Sequence, residues 1–467
     1  MWKYISREPA NIEERIIVSA LFAFFSILLS CGPLLLGINT PDDHATSDVS
    51  LPAAFFFGQG RFIAAVQSEI LLYLGVKLPD ISFMADLFLF SSLSILVALL
   101  FSSFTSPRTP LIFTAMIAAV AVSHPFLGTF FVYRVSALNI AFCFSFIAGA
   151  IYCHKHYIES GSPSHFLLTV VLLTLSFGCY QTILPLAAMW TLYAAICSEN
   201  NTLTTRITRS ILPIVCALVS YLVLYVLTKD IDGGGWDSRA SLISARDIPT
   251  RLFEVLNLLP TLIWKGWYAL PPVLAKLICA TLLFCTVVGT FVSARTTVTA
   301  LGFAGASLAG VLLPVAILAT WAPDTRNLYS FAFIFCFVLV IIEPTLRGVL
   351  GKVTALLLAI CLSSIIATNG YLAHINRADK TNLWIAGQIF LDLNKAHALD
   401  KTISFVDSRG DGGMPSWSFR GLVYNATGRR LNIVNPANAD VEKCATAPKW
   451  PESGYLNVAD PHTVVCL

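Results

Sequence analysis

Apolar residues fall in long blocks along this chain, not in the short alternation of a soluble fold. Membrane-length windows pick out eleven blocks, near 16–36, 83–101, 110–123, 135–153, 165–178, 181–197, 210–228, 270–293, 298–320, 328–343 and 351–367. The polar interruption Gly178-Cys179-Tyr180-Gln181-Thr182 divides the fifth from the sixth and suits a tight hairpin. Residues 52 to 74 are also mostly apolar, but Gly58, Gly60, Arg61, Gln67 and Glu69 break the run. That pattern predicts a helix lying in the membrane interface, not one crossing it. Beyond residue 367 the character changes. Ala378 to Leu399 reads as an amphipathic helix, with Leu383, Ala386, Phe390 and Leu393 on one stripe. Thr402–Val406 and Thr463–Cys466 then read as strands, with Gly410, Gly412, Gly413 and Pro415 marking turns between them. The expected fold is an α-helical polytopic membrane protein of about eleven transmembrane helices, residues 1–367, with a small α/β domain, residues 368–467, outside the membrane.

Composition agrees. Hydrophobic residues make up 56% of the chain and charged residues only 12%, about half the share a soluble surface needs. The net charge of +3 is spread singly, which gives no footing for a nucleic-acid partner. The first apolar block continues past Leu28-Leu29-Ser30-Cys31, so an uncleaved first helix is expected there, not a processed leader. Arg108, Lys155, Arg206, Arg209, Arg295, Arg347 and Lys352 fall on alternate short loops. By the positive-inside rule this puts the N-terminus in the cytoplasm and the tail on the opposite face. Ten of the twelve cysteines lie in the apolar part as small hydrophobes. Cys444 and Cys466 lie in the tail and can bridge if that compartment is oxidising.

The sharpest chemical feature is Asp42-Asp43, directly after the first apolar block. A carboxylate at the outer mouth of a helix bundle can act as general base toward a hydroxyl, although an acidic pair there can equally be a solvated loop. Arg61 is expected at headgroup level, where it could meet a lipid phosphate or simply snorkel. Arg134, Lys265 (between Trp264 and Trp267) and Arg326 add cations on the same predicted face. Asp86 and Lys276 fall inside predicted spans near the outer side. Trp236, among glycines and aspartates, could stack on a sugar or belong to a mobile loop. There is no Walker loop, dinucleotide fingerprint or HExxH, and His154 and His156 flank Lys155 on a basic cytoplasmic loop.

The layout as a whole resembles the GT-C glycosyltransferases, and more narrowly the serotype-converting glucosyltransferases of bacterial O-antigen. The motifs that carry the likeness are Asp42-Asp43, Gly60-Arg61, Tyr180-Gln181 and Pro323-Asp324-Thr325-Arg326. The resemblance implies an undecaprenyl-phosphate sugar donor, usually glucose, and a lipid-linked O-antigen acceptor, used on the periplasmic face of the inner membrane. It implies an inverting transfer with Asp42 or Asp43 as base. Arg61, Arg134, Lys265 and Arg326 would bind the donor phosphate, and Trp236, Tyr180 and Gln181 the acceptor. No cofactor and no obligatory metal are expected. Three other readings stay open: a transporter or flippase of lipid-linked sugars, an O-antigen polymerase, and an accessory scaffold. Many transporters show repeat symmetry between halves, and none is found here.

Overall fold

The computed structural model describes residues 11–47, 52–106, 108–198, 202–231, 242–319, 321, 323–409, 414–459 and 462–467. The greater part of each of the eleven apolar blocks falls on helix. Among the described residues, eight helices are long and apolar enough to cross a membrane: Ile12–Leu36, Ser82–Ser102, Arg134–Ser160, Leu203–Thr228, Pro272–Val292, Ala294–Ile317, Thr325–Thr345 and Arg347–Lys395. The pair Leu111–Ser123 and Pro125–Phe131 makes a ninth if its 48° bend is counted as one span. The bend has a local cause, because Pro125 drives His124 out of helical geometry, to ψ 132°. Pro163–Cys179 and Leu184–Cys197 are shorter, at 17 and 14 residues, on either side of an extended Tyr180.

Lipid gives no hydrophobic drive for helices to associate, so close contact between them needs small side chains. The first helix shows the result. Ser19, Ala23, Ile27 and Ser30 are fully buried, while Ile17, Leu21, Phe25 and Leu29 on the other face are each more than half exposed. The small face packs on Leu111–Ser123 and Ser82–Ser102.

Polar side chains tie the helix ends into two clusters. In one, the Arg15 guanidinium donates to the carbonyls of Thr105 and Ser106 at 2.8 Å, Arg206 to that of Ser198 at 2.6 Å, and Arg209 to that of Ile158 at 3.0 Å. In the other, the Asn39 amide donates to Asp379 at 3.1 Å, that of Val135 to Asp43 at 2.7 Å, and the Gln181 side chain to the Gln59 carbonyl at 2.6 Å.

The element expected to lie in the interface is two short helices, Ala53–Gly58 and Phe62–Tyr73, joined by a kink at Gln59-Gly60-Arg61. At 12 residues the second is too short to cross. The boundary expected at residue 367 lies inside one continuous helix of 46 residues, Leu350–Lys395. Its first part packs in the membrane core, and from Ile385 onward it packs in a second, separate core. That second core holds a four-stranded sheet of order β2-β1-β4-β3, with β1 Thr402–Val406, β2 Ile433–Val434, β3 Leu456–Val458 and β4 His462–Cys466. β1 is parallel to both of its neighbours, while β3 and β4 are antiparallel. Cys444 and Cys466 are joined by a disulfide. The helix Ser416–Thr427 leaves this sheet and packs on the short helix Pro41–Ala45.

The two faces of the first helix should therefore respond oppositely to substitution. Ala23→Leu overpacks the helix contact and should cost about 1–3 kcal/mol, whereas Leu21→Ala on the exposed face should stay within about 0.5 kcal/mol. Thermal unfolding of the detergent-purified variants measures both.

Candidate active site

The segment after the first helix is built around an N-cap. Pro41 at the first helical position supplies the φ a helix needs, and Thr40 caps it. The Thr40 amide and hydroxyl both donate to Asp43 Oδ2, at 2.8 and 2.7 Å, and the Val135 amide donates to Oδ1 at 2.7 Å. Asp43 is buried, and burial pushes its carboxyl up to about 6 against the opposing pull of those donors and of Arg134. The spacing Thr40-x-x-Asp43 is that of a capping box, a signal present in the sequence but not used in reading it. The adjacent aspartates therefore part company. Asp42, about 100° further round the helix, is half-exposed and lies 3.7 Å from Arg326 Nη1.

Arg326 belongs to the turn Thr325–Leu328, which Asp324 caps by accepting the Arg326 amide at 3.2 Å. The same carboxylate holds Arg326 Nε at 2.9 Å. The guanidinium sits 4.8 Å from the Tyr133 ring centroid. Burial and the neighbouring Asp324 push the Tyr133 hydroxyl upward, which keeps it a neutral donor.

Gly60-Arg61 reaches the same place from the interfacial side. Gly60 has φ +72°, and a Cβ there would stand 2.5 Å from Tyr221 Oη, so only glycine fits. Gln181 donates to the Gln59 carbonyl and, at 2.9 Å, to Tyr221 Oη, while Tyr225 Oη donates to the Gly58 carbonyl at 3.0 Å. This harness aims Arg61 across the Tyr180 ring, 4.3 Å from its centroid. Tyr180 in turn packs edge-on against Phe130, which stacks on Tyr329. Arg326 is within electrostatic reach of Tyr180 too. Asp42, Arg326, Asp324 and Tyr133 thus form one contact set, and Arg61 and Tyr180 a neighbouring one. Tyr133 carried no pattern of its own, and Asp324 lay inside a quoted motif without a role.

The remaining expected site residues have other surroundings. Arg134 Nε is bound to Asp86 Oδ2 at 3.1 Å, with both groups buried, and its Nη1 reaches the Asn39 side chain at 3.5 Å. Its charge is used inside the protein. Lys265 is exposed at the end of the π-helical turn Thr261–Lys265, and Lys276, not Lys265, lies over the Trp264 ring. The Gln181 amide is committed to the Gly60 loop. Trp236 and its glycine-rich neighbours lie outside the described residues. Among the described residues, no three His, Cys, Asp or Glu side chains converge as a metal site would need.

Residues 40–342 match the family model described as Glucosyl transferase GtrII, well over half of the chain. The match begins at the Thr40 cap and takes in Asp42, Arg61, Tyr180 and Arg326. No curated protein matches the chain.

If Arg134 serves Asp86, Asp86→Leu alone should cost about 3–5 kcal/mol, because it strands a buried guanidinium, and adding Arg134→Met should restore most of that loss. Thermal unfolding of the single and double variants decides it. A double variant no more stable than Asp86→Leu would refute the pairing.

Proposed function

The chain belongs to the GtrII glucosyl transferase family, and from that premise we propose that it moves glucose from undecaprenyl phosphate to a lipid-linked O-antigen repeat on the periplasmic face of the bacterial inner membrane. The observation that carries this reading is the half-exposed Asp42 carboxylate held beside Arg326 and, through Tyr180, close to Arg61.

The chemistry follows from those groups. Asp42 takes the proton of an acceptor hydroxyl, and that oxygen attacks the anomeric carbon from the side opposite the phosphate. One C–O bond forms as the other breaks, the configuration inverts, and the bonding pair leaves on the lipid phosphate. Arg326 and Arg61 stabilise the departing anion, the term that dominates such transfers. Asp43 is left to hold the turn and Arg134 to neutralise Asp86. Tyr180 offers its ring to the donor sugar or the acceptor.

Eleven crossings fit the contacts at the helix ends. Followed along the chain, the first seven apolar blocks run alternately between the cluster around Arg15, Ser198 and Arg209 and the cluster around Asn39, Val135 and Gln181. Asn39 and Asp379 touch, which supports first and last crossings that open on the same face and hence an odd number in total. The basic residues of the first cluster favour a cytoplasmic face there, and the Cys444–Cys466 bridge suits an oxidising compartment on the other.

In proteoliposomes supplied with undecaprenyl-phosphate glucose and lipid-linked repeats, without any gradient, wild type should add one branch glucose per repeat. Asp42→Asn should lower kcat by about 10²- to 10⁴-fold at unchanged protein abundance, while Asp43→Asn should chiefly lower the folded yield. Transport without transfer, or longer chains without new branches, would instead identify a flippase or a polymerase. EDTA should leave the rate unchanged, and activity lost to EDTA and restored by Mn²⁺ or Mg²⁺ would overturn the metal-free mechanism.

A further inference from the structure

We propose that the C-terminal domain completes the transferase site by clamping the turn that carries Asp42, with Asp379 and Asn425 as positioning residues. This rests on the reading of Asp42 as the base.

The clamp closes on both ends of the turn. Asp379 sits on the long helix, beyond its membrane-core part, and is buried. Its Oδ2 accepts the Asn39 amide at 3.1 Å and its Oδ1 lies 2.7 Å from His44 Nε2, so one carboxylate holds the residue before the cap and the residue two beyond Asp42. The other face of the His44 ring meets the C-terminal domain, where Asn425 Nδ2 donates to Nδ1 at 2.8 Å. With Nδ1 accepting, the ring proton belongs on Nε2, pointing at Asp379, so both ring nitrogens are satisfied and the fully buried imidazole has one orientation. The same Asn425 nitrogen reaches Ser47 Oγ at 2.8 Å, and that hydroxyl donates to the Asp43 carbonyl at 3.0 Å.

The backbone is matched to this arrangement. Gly421 lies so close to the turn that a Cβ there would fall 1.6 Å from the His44 carbonyl oxygen. Three residues further on, the Tyr424 ring receives Lys77, which follows the interfacial helix. A dock made only of apolar contacts would hold the domain in place but leave the turn free to rotate. Directional bonds to Asn39, His44 and Ser47 remove that freedom. Catalysis is sensitive to it, because a misplacement of about 1 Å is enough to cost about 10²-fold in rate. Asp379 and Asn425 both lie beyond the stretch that matches the family model.

The test uses the full-length protein with the assay above and compares Asn425→Ala and Asp379→Asn with Asp42→Asn, checking folded abundance and thermal midpoint for each. Asp42 lies 3.7 Å from Arg326 Nη1, and a loosened turn moves it out of that position. The clamp variants should therefore lose about 10- to 100-fold in kcat per folded molecule while keeping KM for the lipid donor within about threefold. A wild-type kcat per folded molecule, with any loss confined to folded abundance, overturns the clamp. If Asp379→Asn does not accumulate, Asn425→Ala decides the matter, since it leaves the membrane helices untouched. Full activity in Asp42→Asn removes the base assignment and the clamp with it. An inactive Asp42→Asn beside clamp variants of wild-type kcat removes the clamp alone.

Discussion

A full charge buried inside a helix bundle needs a partner, and one mouth of this bundle is organised around that constraint. Asp86, on the second long helix, is neutralised by Arg134, at the start of the next but one, and Arg134 also reaches Asn39 at the exit of the first. Three chain segments are fixed to one another by that guanidinium. Tyr133 and Val135, its neighbours in sequence, are thereby set in place, the first under Arg326 and the second as a donor to Asp43. Replacing such a pair by apolar groups need not cost stability. What the pair contributes is registry, since it can form in only one alignment of those three segments.

On that base the two adjacent aspartates divide the work. Asp43 is turned inward and surrounded by donors, and its carboxylate closes the turn. Asp42 is turned outward toward a cation that the Asp324 carboxylate already steadies. A carboxylate buried among three donors is poorly placed to collect a proton from a substrate. One that is half-exposed beside a guanidinium is open to a substrate. The inward residue gives the outward one a fixed direction, so a pair that looks redundant in the sequence is asymmetric in space.

Much of this was legible in the sequence wherever it depends on local composition. The eleven apolar blocks, the break at Gly60-Arg61 and the strands Thr402–Val406 and Thr463–Cys466 all follow from runs and interruptions, and the Cys444–Cys466 bridge from the placing of those two cysteines in the tail. Features that depend on tertiary contact were not. Asp86 and Arg134 each stood out alone, but nothing in a separation of 48 residues joins them. Asp379 lay in a helix noted only for its apolar stripe, and Asn425 in a stretch with no strong pattern. The expected tail boundary falls inside a helix for another reason. Between Leu350 and Lys395 the chain passes from lipid-facing to amphipathic composition with no proline and no cap, so the helix carries straight through the change of solvent. β2 and β3, of two and three residues, are too short to announce themselves.

That uninterrupted helix has a mechanical consequence. At 1.5 Å per residue, the stretch from Thr368 to Lys395 forms a rod about 42 Å long, continuous with a segment anchored in the hydrocarbon. A rod of that kind is a lever. A tilt of about 10° at the membrane, of the size hydrophobic mismatch produces, would sweep its far end by about 7 Å if nothing held it. Here it is held, about 16 Å along its length, by the turn that bears Asp42. A change of tilt would therefore load that turn, which couples the thickness of the surrounding bilayer to the geometry around Asp42.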